Sequence, residues 1–301
     1  MINGADRWAG LDLRHLAALE AVARASSFAK AAVELGYTQP AVSQQIAGLE
    51  RIVGQRLFER GSGPRPVRLT EAGALLLRHV EAVQARLAAA QADMEALAAG
   101  AAGTLRVGTF QSVANRILPG LVQRFTAACP GVEFRLTERD NDDDLLDLVE
   151  RGELDLAYVM LPHQQGPYEA VEVLVDPYVL VTPLDADYAS ATDLAGVPLI
   201  GFRQCRSSSL WEDAMRAVGI EPNVVFRSDD NGTVQSFVAT GMGVAVMPLL
   251  AVDADDPRVR VVPIDTLPPR RIAIAWHSDR WRTPALDAFV GLALEAEVAR
   301  I

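Results

Sequence analysis

Phe28-Ala29-Lys30-Ala31-Ala32-Val33-Glu34-Leu35-Gly36-Tyr37-Thr38-Gln39-Pro40-Ala41-Val42-Ser43-Gln44-Gln45-Ile46-Ala47-Gly48-Leu49-Glu50 is the stretch on which the reading of this chain turns. Ser26 and Ser27 supply a cap ahead of Phe28, and small Ala31 and Ala32 let a neighbouring helix approach closely. Gly36 takes a turn conformation that a bulkier residue resists. A second helix then begins near Gln39-Pro40, where the missing proline N–H costs nothing. Within it Val42, Ile46 and Leu49 recur at i, i+4, i+7 and define an inner face. Gln39, Ser43 and Gln44 are left on the outer face, close to the N-terminus. A helix built this way presents side chains to base edges in a DNA major groove.

Outward from this core the pattern continues. Leu13, Leu16, Leu19 and Val22 predict a preceding amphipathic helix. Downstream, Leu57-Phe58-Glu59-Arg60 and Val67-Arg68-Leu69-Thr70 flank Gly61-Ser62-Gly63-Pro64-Arg65-Pro66, which predicts a hairpin wing. Arg60, Arg65 and Arg68 would lie beside the phosphate backbone. The net charge of −11 runs against DNA binding, but it is unevenly spread. Residues 1–90 carry 11 Lys+Arg against 8 Asp+Glu, and the remainder carries 17 against 31. A basic head on an acidic body binds phosphate at one end and is repelled at the other.

Residues 11–73 resemble the DNA-binding module of LysR-type transcriptional regulators. The matching string is Phe28-Ala29-Lys30-Ala31-Ala32, Gln39-Pro40-Ala41-Val42-Ser43, Ile46, Leu49-Glu50, Gly54, Leu57-Phe58-x-Arg60 and Leu69-Thr70-x-x-Gly73. Gln44 departs from the pattern, since many members carry arginine there. The resemblance implies DNA contacts from Ser27, Thr38, Gln39, Pro40, Ser43, Gln44, Arg51, Arg60, Arg65 and Arg68.

Thr70 caps a predicted helix to about Ala99. Leu76, Val80, Val83, Leu87, Ala90, Met94 and Leu97 recur at alternating spacings of four and three, a heptad seam. A helix of roughly 42 Å, at about 1.5 Å per residue, is not stable alone in water and needs a partner along that seam. The expectation is a homodimer or homotetramer, and the resemblance implies the same.

From Thr104 the sequence alternates strands and helices. Leu105–Phe110, Val132–Thr137 and Leu154–Met160 read as strands around helices at 115–128 and 142–151, so a largely parallel sheet is expected. A second unit has strands at 198–202, 224–226 and 243–247 and helices at 208–218 and 233–239. The chain returns with a strand at 271–276 and a helix at 284–300. These lobes resemble the periplasmic-binding-protein-like (type 2) effector domain of the same family. The expected fold class is therefore α/β. It comprises a winged helix-turn-helix at 1–69, a linker helix at 70–100 and a two-lobed effector domain at 104–301. Lobe one would hold 104–180 with 267–301, and lobe two 181–266.

Ligands of such folds sit between the lobes, at strand C-termini and helix N-termini, where free N–H groups favour an organic anion. The candidate effector residues are Thr109, Phe110, Gln111 and Ser112; Arg203, Gln204, Cys205 and Arg206; and Asn231, Gly232 and Thr233. Ser112 and Thr233 also read as plain helix caps. Cys205 has no nearby cysteine to resolve a sulfenic acid, so no redox role is expected. Asp140-Asn141-Asp142-Asp143-Asp144 lacks the glycine and glutamate of a calcium loop and reads as acids complementing a helix dipole.

His15, His79, His163 and His277 are scattered, and the sequence contains no Gly-x-Ser-x-Gly elbow or phosphate-cradling loop. No enzyme activity, metal or cofactor is expected. Residues 1–10 contain no signal-peptide core, and the longest apolar stretch, 243–252, is about half a membrane span and is broken by Pro248. A cytoplasmic protein that touches no membrane follows. Its expected partners are double-stranded DNA, a small-molecule effector, further copies of itself and RNA polymerase.

Overall fold

The computed structural model describes residues 8–59, 66–99, 103–186, 188, 194–203, 206–264 and 266–298. It divides into a head, Met1–Leu87, and a sensor, Ala88–Ile301.

The head is built on helices α1 (Leu13–Ala25), α2 (Phe28–Leu35) and α3 (Gln39–Val53). Each starts at a residue able to satisfy free backbone donors. Asp12 caps α1 in a capping box with His15, Ser27 accepts from the Lys30 N–H at 3.4 Å, and Thr38 accepts from the Ala41 N–H at 3.4 Å. Gly36 and Gly54 end α2 and α3 in the left-handed region. The inner faces meet in one core of Leu19, Val22, Ala31, Val42 and Leu49, all fully buried. Removing each of these leucine or valine side chains from water contributes about 1.5–3 kcal/mol.

The wing is a two-stranded ribbon. Phe58 pairs antiparallel with Leu69, Glu59 N–H donates to Arg68 O at 2.9 Å, and Thr70 N–H donates to Leu57 O at 2.9 Å. Two ties fix it to the helices: Glu50 Oε1 accepts from Leu57 N–H at 2.8 Å, and Val67 N–H donates to Ser26 O at 3.0 Å. The wing tip, with Arg60 and Arg65, lies outside the described residues.

Helix α4 (Glu71–Ala99) follows. Thr70 both accepts from Gly73 N–H at 3.0 Å and donates to Arg56 O at 2.6 Å, so one hydroxyl joins the helix start to the wing. Gly73 packs on the wing backbone. A Cβ there would sit 2.9 Å from the Leu57 carbonyl carbon and 3.0 Å from Leu69 Cδ2. The heptad seam needs a correction. Leu76 and Val80 are buried in the head's own core, whereas Val83, Leu87 and Met94 are exposed, so only the later positions are open to a partner. The amphipathic period serves two surfaces in succession, which spacing alone does not distinguish.

The sensor begins with β1 (Gly103–Thr109). Lobe one adds α5 (Gln111–Arg116), α6 (Leu118–Ala128), β2 (Val132–Glu138), α7 (Asp142–Glu150), β3 (Leu156–Leu161) and β4 (Tyr168–Asp176). Lobe two holds β5 (Tyr178–Pro183), β6 (Pro198–Phe202), α8 (Arg206–Ala217), β7 (Asn223–Ser228), α9 (Asn231–Ala239), β8 (Ala245–Pro248) and β9 (Val259–Pro263). β10 (Arg270–His277) and α10 (Pro284–Val298) return to lobe one.

Lobe one's sheet has the order β2-β1-β3-β10-β4. β1 pairs parallel with β2 and β3, as expected, but β10 is antiparallel to both its neighbours, so the sheet is mixed. Helices α6 and α10 cover one face around Phe125 and Phe289, and α7 covers the other through Leu145, Leu146 and Val149. The segment read as one helix over 115–128 is two helices, broken at Ile117. The segment Gly152-Glu153-Leu154-Asp155 is tied to β1: Asp155 clamps Arg106 at 2.8 and 3.2 Å, and Arg106 also donates to Gly152 O at 2.9 Å. Lobe two joins an antiparallel ribbon β8-β5-β9 to a parallel pair β6-β7.

Candidate functional site

Two surfaces concentrate the sequence-predicted residues. On the head, Gln39, Pro40, Ser43, Gln44 and Arg51 are all exposed on α3, while Val42, Ile46 and Leu49 beneath them are between 0 and 4% exposed. Residues 39, 43, 47 and 51 follow the i, i+4 row of one helix face. Ser27 and Thr38 sit at the starts of α2 and α3 as caps, and Arg68 is exposed on the wing. Glu50 is turned away, committed to the Leu57 N–H. Glu34 is paired with Arg24, which also pairs with Glu20 at 3.5 Å. Neighbouring acids are thereby held off the polar face, and Arg51 makes no ion pair among the described residues.

In the sensor, a cavity of about 670 Å³, its open mouth included, is lined by residues of both lobes. Phe110, Gln111, Ser112 and Asn231, all predicted, line it. Gln111 spans the lobes: its Nε2 donates to Asp230 Oδ2 at 2.9 Å and its Oε1 accepts from Asn231 N–H at 2.8 Å. Asp230 caps α9 by accepting from Thr233 N–H at 2.6 Å. Hydrogen bonds from Thr233 and then Gln111 hold the Asp230 carboxyl below the ordinary carboxylate range.

Other predicted residues are placed differently. Thr109 is fully buried, its hydroxyl donating to Phe110 O at 3.3 Å. Gly232 lines a second cavity beside α9, and Thr233 lines neither of the two. Arg203 is exposed and pairs with Asp229 at 3.2 Å. Gln204 and Cys205 lie outside the described residues; Arg206 opens α8.

The cavity also has residues that sequence reasoning missed. Arg270, first residue of β10, is 5% exposed at its side chain. Its Nε donates to Asp176 Oδ2 at 2.6 Å, its Nη2 donates to Ser112 Oγ at 2.6 Å, and its guanidinium lies 5.3 Å over the Phe110 ring. Asp176 in turn accepts from Leu250 N–H at 3.1 Å. Burial pushes the Asp176 carboxyl up against the opposing pull of Arg270. Arg270 and Asp176 face each other where β10 and β4 meet the crossovers, so one ion pair joins the cavity wall to both connections. Asp142, expected to complement a helix dipole, does lie in the first turn of α7, and it is also 5% exposed, accepts from Met160 N–H at 2.8 Å and lines the cavity. Asp140 and Asp229 line it as well. No cluster of metal-ligating side chains occurs among the described residues, and none of their helices is long and apolar enough to cross a membrane.

Residues 13–74 match the model of the bacterial regulatory helix-turn-helix protein, lysR family, and residues 98–297 match that of the LysR substrate binding domain. The chain is 34% identical over 276 residues to the HTH-type transcriptional regulator CbbR of Rhodospirillum rubrum, covering 88% of this chain and 89% of that protein. To CfxR of Cupriavidus necator it is 31% identical, with 95% and 92% covered. Among solved structures, full-length CbnR in complex with its target DNA superposes with a TM-score of 0.67 at 22% identity, covering 95% of this chain and all of that one. A cysteine-to-serine mutant of Corynebacterium glutamicum OxyR with bound H2O2 gives 0.60 at 23%, with 96% and 94% covered.

Proposed function

This chain belongs to the LysR family of bacterial transcriptional regulators, and on that premise we propose that it binds an interrupted inverted repeat beside a promoter as a homodimer or homotetramer and answers to a small organic anion held between its lobes. It is a DNA-binding regulator with an effector domain, not an enzyme. The observation that carries the reading is the division of α3. Its apolar side is spent on the head's core, and Gln39, Ser43, Gln44 and Arg51 are left facing outward.

In this reading α3 enters the major groove, where glutamine pairs with adenine through two hydrogen bonds and serine reaches base or phosphate. Arg68, with Arg60 and Arg65 on the same wing, neutralises phosphates. Two heads on one two-fold axis read two half-sites, and the exposed Val83, Leu87 and Met94 of α4 supply apolar surface for the pairing. The effector's oxyanion is received beside Arg270 and Ser112 and shifts the balance between two lobe arrangements. The heads then change promoter occupancy and contact with RNA polymerase, in the cytoplasm.

Footprinting over a salt series on the operator upstream of the neighbouring gene tests the assignment. Gln39→Ala or Ser43→Ala relaxes sequence preference, whereas Arg68→Ala weakens binding to all sequences and lowers the salt slope by about one. Unchanged footprints and slopes in all three variants overturn it.

A further inference from the structure

Among the described residues Arg270 is the one cation lining the interlobe cavity, and Asp140, Asp142 and Asp229 line it too. The positive charge is compensated by Asp176, which lies 2.6 Å from its Nε. The cavity therefore has one basic point set in an acidic surround. Arg270 has five N–H hydrogens in a rigid fork. Its Nε and Nη2 are engaged, and no hydrogen bond leaves Nη1 among the described residues. A nearly buried guanidinium with donors unspent, beside the Ser112 hydroxyl, receives one oxyanion.

A second anionic group would meet carboxylates. Asp142 is fixed by the Met160 N–H, and Asp229 is held by Arg203 at 3.2 Å. The carboxylate oxygens of Asp140, Asp142 and Asp229 only accept. They accept from a ligand ammonium or hydroxyl and repel a second carboxylate or phosphate. Met160, Phe202 and Pro248 also line the cavity and give its wall apolar surface suited to a short carbon chain.

We infer that the effector class is a short amino acid, with its carboxylate at Arg270 and Ser112 and its ammonium at the Asp140, Asp142 and Asp229 carboxylates, and not a dianion. This rests on the reading that the interlobe cavity is the effector site. It narrows the ligand from organic anions in general to amino acids with a short carbon chain between the two groups.

The test is calorimetric titration of the full-length protein with three series matched for chain length, from two to five carbons. The series are the ω-amino acids (glycine to 5-aminopentanoate), the dicarboxylates (oxalate to glutarate) and the α,ω-diamines (1,2-diaminoethane to 1,5-diaminopentane). At least one amino acid binds about tenfold or more tighter than the dicarboxylate and diamine of its length, the equivalent of one charged hydrogen bond. The exposed-side double variant D140N/D229N erases that advantage over the dicarboxylate. The paired variant R270Q/D176N leaves no buried charge uncompensated and loses amino-acid binding by a similar factor. Ser112→Ala provides a milder check should that pair fail to fold, with a loss of severalfold. A dicarboxylate or diamine as the tightest ligand, or no binding in any series, overturns the inferred class. Amino-acid binding unchanged in D140N/D229N, R270Q/D176N and S112A places the effector outside this cavity and overturns the underlying reading instead.

Discussion

Gly73 yields the sharpest stability prediction. Its backbone is ordinary helix, so alanine is expected to gain about 1 kcal/mol of helix propensity there. Space reverses the sign. A Cβ would lie 2.9 Å from the Leu57 carbonyl carbon, against about 3.5–4.0 Å for carbon–carbon contact, and it would press harder still on the carbonyl oxygen. The shortfall of at least about 0.6 Å cannot be relieved by a rotamer, because the obstacle is main chain. Leu57 is also pinned, its oxygen by Thr70 N–H at 2.9 Å and its nitrogen by Glu50 at 2.8 Å. Overpacking of this kind costs about 1–3 kcal/mol, and a backbone obstacle puts it at the upper end. After the propensity gain, Gly73→Ala is expected to destabilise the head by about 2 kcal/mol, a change of roughly 30-fold in its folded-to-unfolded ratio. Gly291, inside α10 with open space around its would-be Cβ, is the control: Gly291→Ala should stabilise the sensor by about 0.8–1 kcal/mol. Hydrogen exchange read by mass spectrometry across a urea series separates head peptides from sensor peptides in the full chain. A Gly73→Ala head as stable as wild type, or more so, refutes the argument.

Further outcomes follow from the same contacts. Thr70→Val removes a hydroxyl that serves Gly73 N–H and Arg56 O together, and should cost the head about 1–2 kcal/mol in the same exchange assay. Asp230 titrates below the unfolded carboxylate in the folded sensor, so its contribution is fully present above the ordinary range and drains away as pH falls through the depressed value. Peptides at the start of α9 should therefore lose protection below about pH 4, and Asp230→Asn should flatten that acid limb. Superimposable acid profiles for the two proteins would exclude the cap and the Gln111 clasp as its origin.

The head was legible in the sequence because its rules are local. Caps at Asp12, Ser27 and Thr38, the turn at Gly36 and the 42/46/49 spacing each act within a few residues. The sensor's outline was legible for the same reason wherever a strand abutted a helix. β4 was missed because it borders the sheet and alternates weakly, with single buried residues among half-buried ones. The break at Ile117 was missed because no side chain caps it. The cavity was only half visible. Phe110, Gln111, Ser112 and Asn231 stand at helix starts, where chain order announces them. Arg270 and Asp176 are 94 positions apart, and nothing in either neighbourhood foretells the other. Asp142 was hidden by its company, since one buried carboxylate in an acidic run has the same letters as its solvated neighbours.

Strand β10 lies between β3 and β4, with the whole of lobe two inserted before it in the chain. During synthesis the head can close as soon as its own residues leave the ribosome, and lobe two is continuous. Lobe one must wait, because its sheet has a slot that only residues 270–277 can fill. At about 5–20 residues per second that delay is several seconds, through which two unpaired strand borders stay open to other chains. A product cut short between the end of the head and Arg270 would keep an intact DNA-reading end on a permanently unfinished body, competing for operators while prone to aggregate.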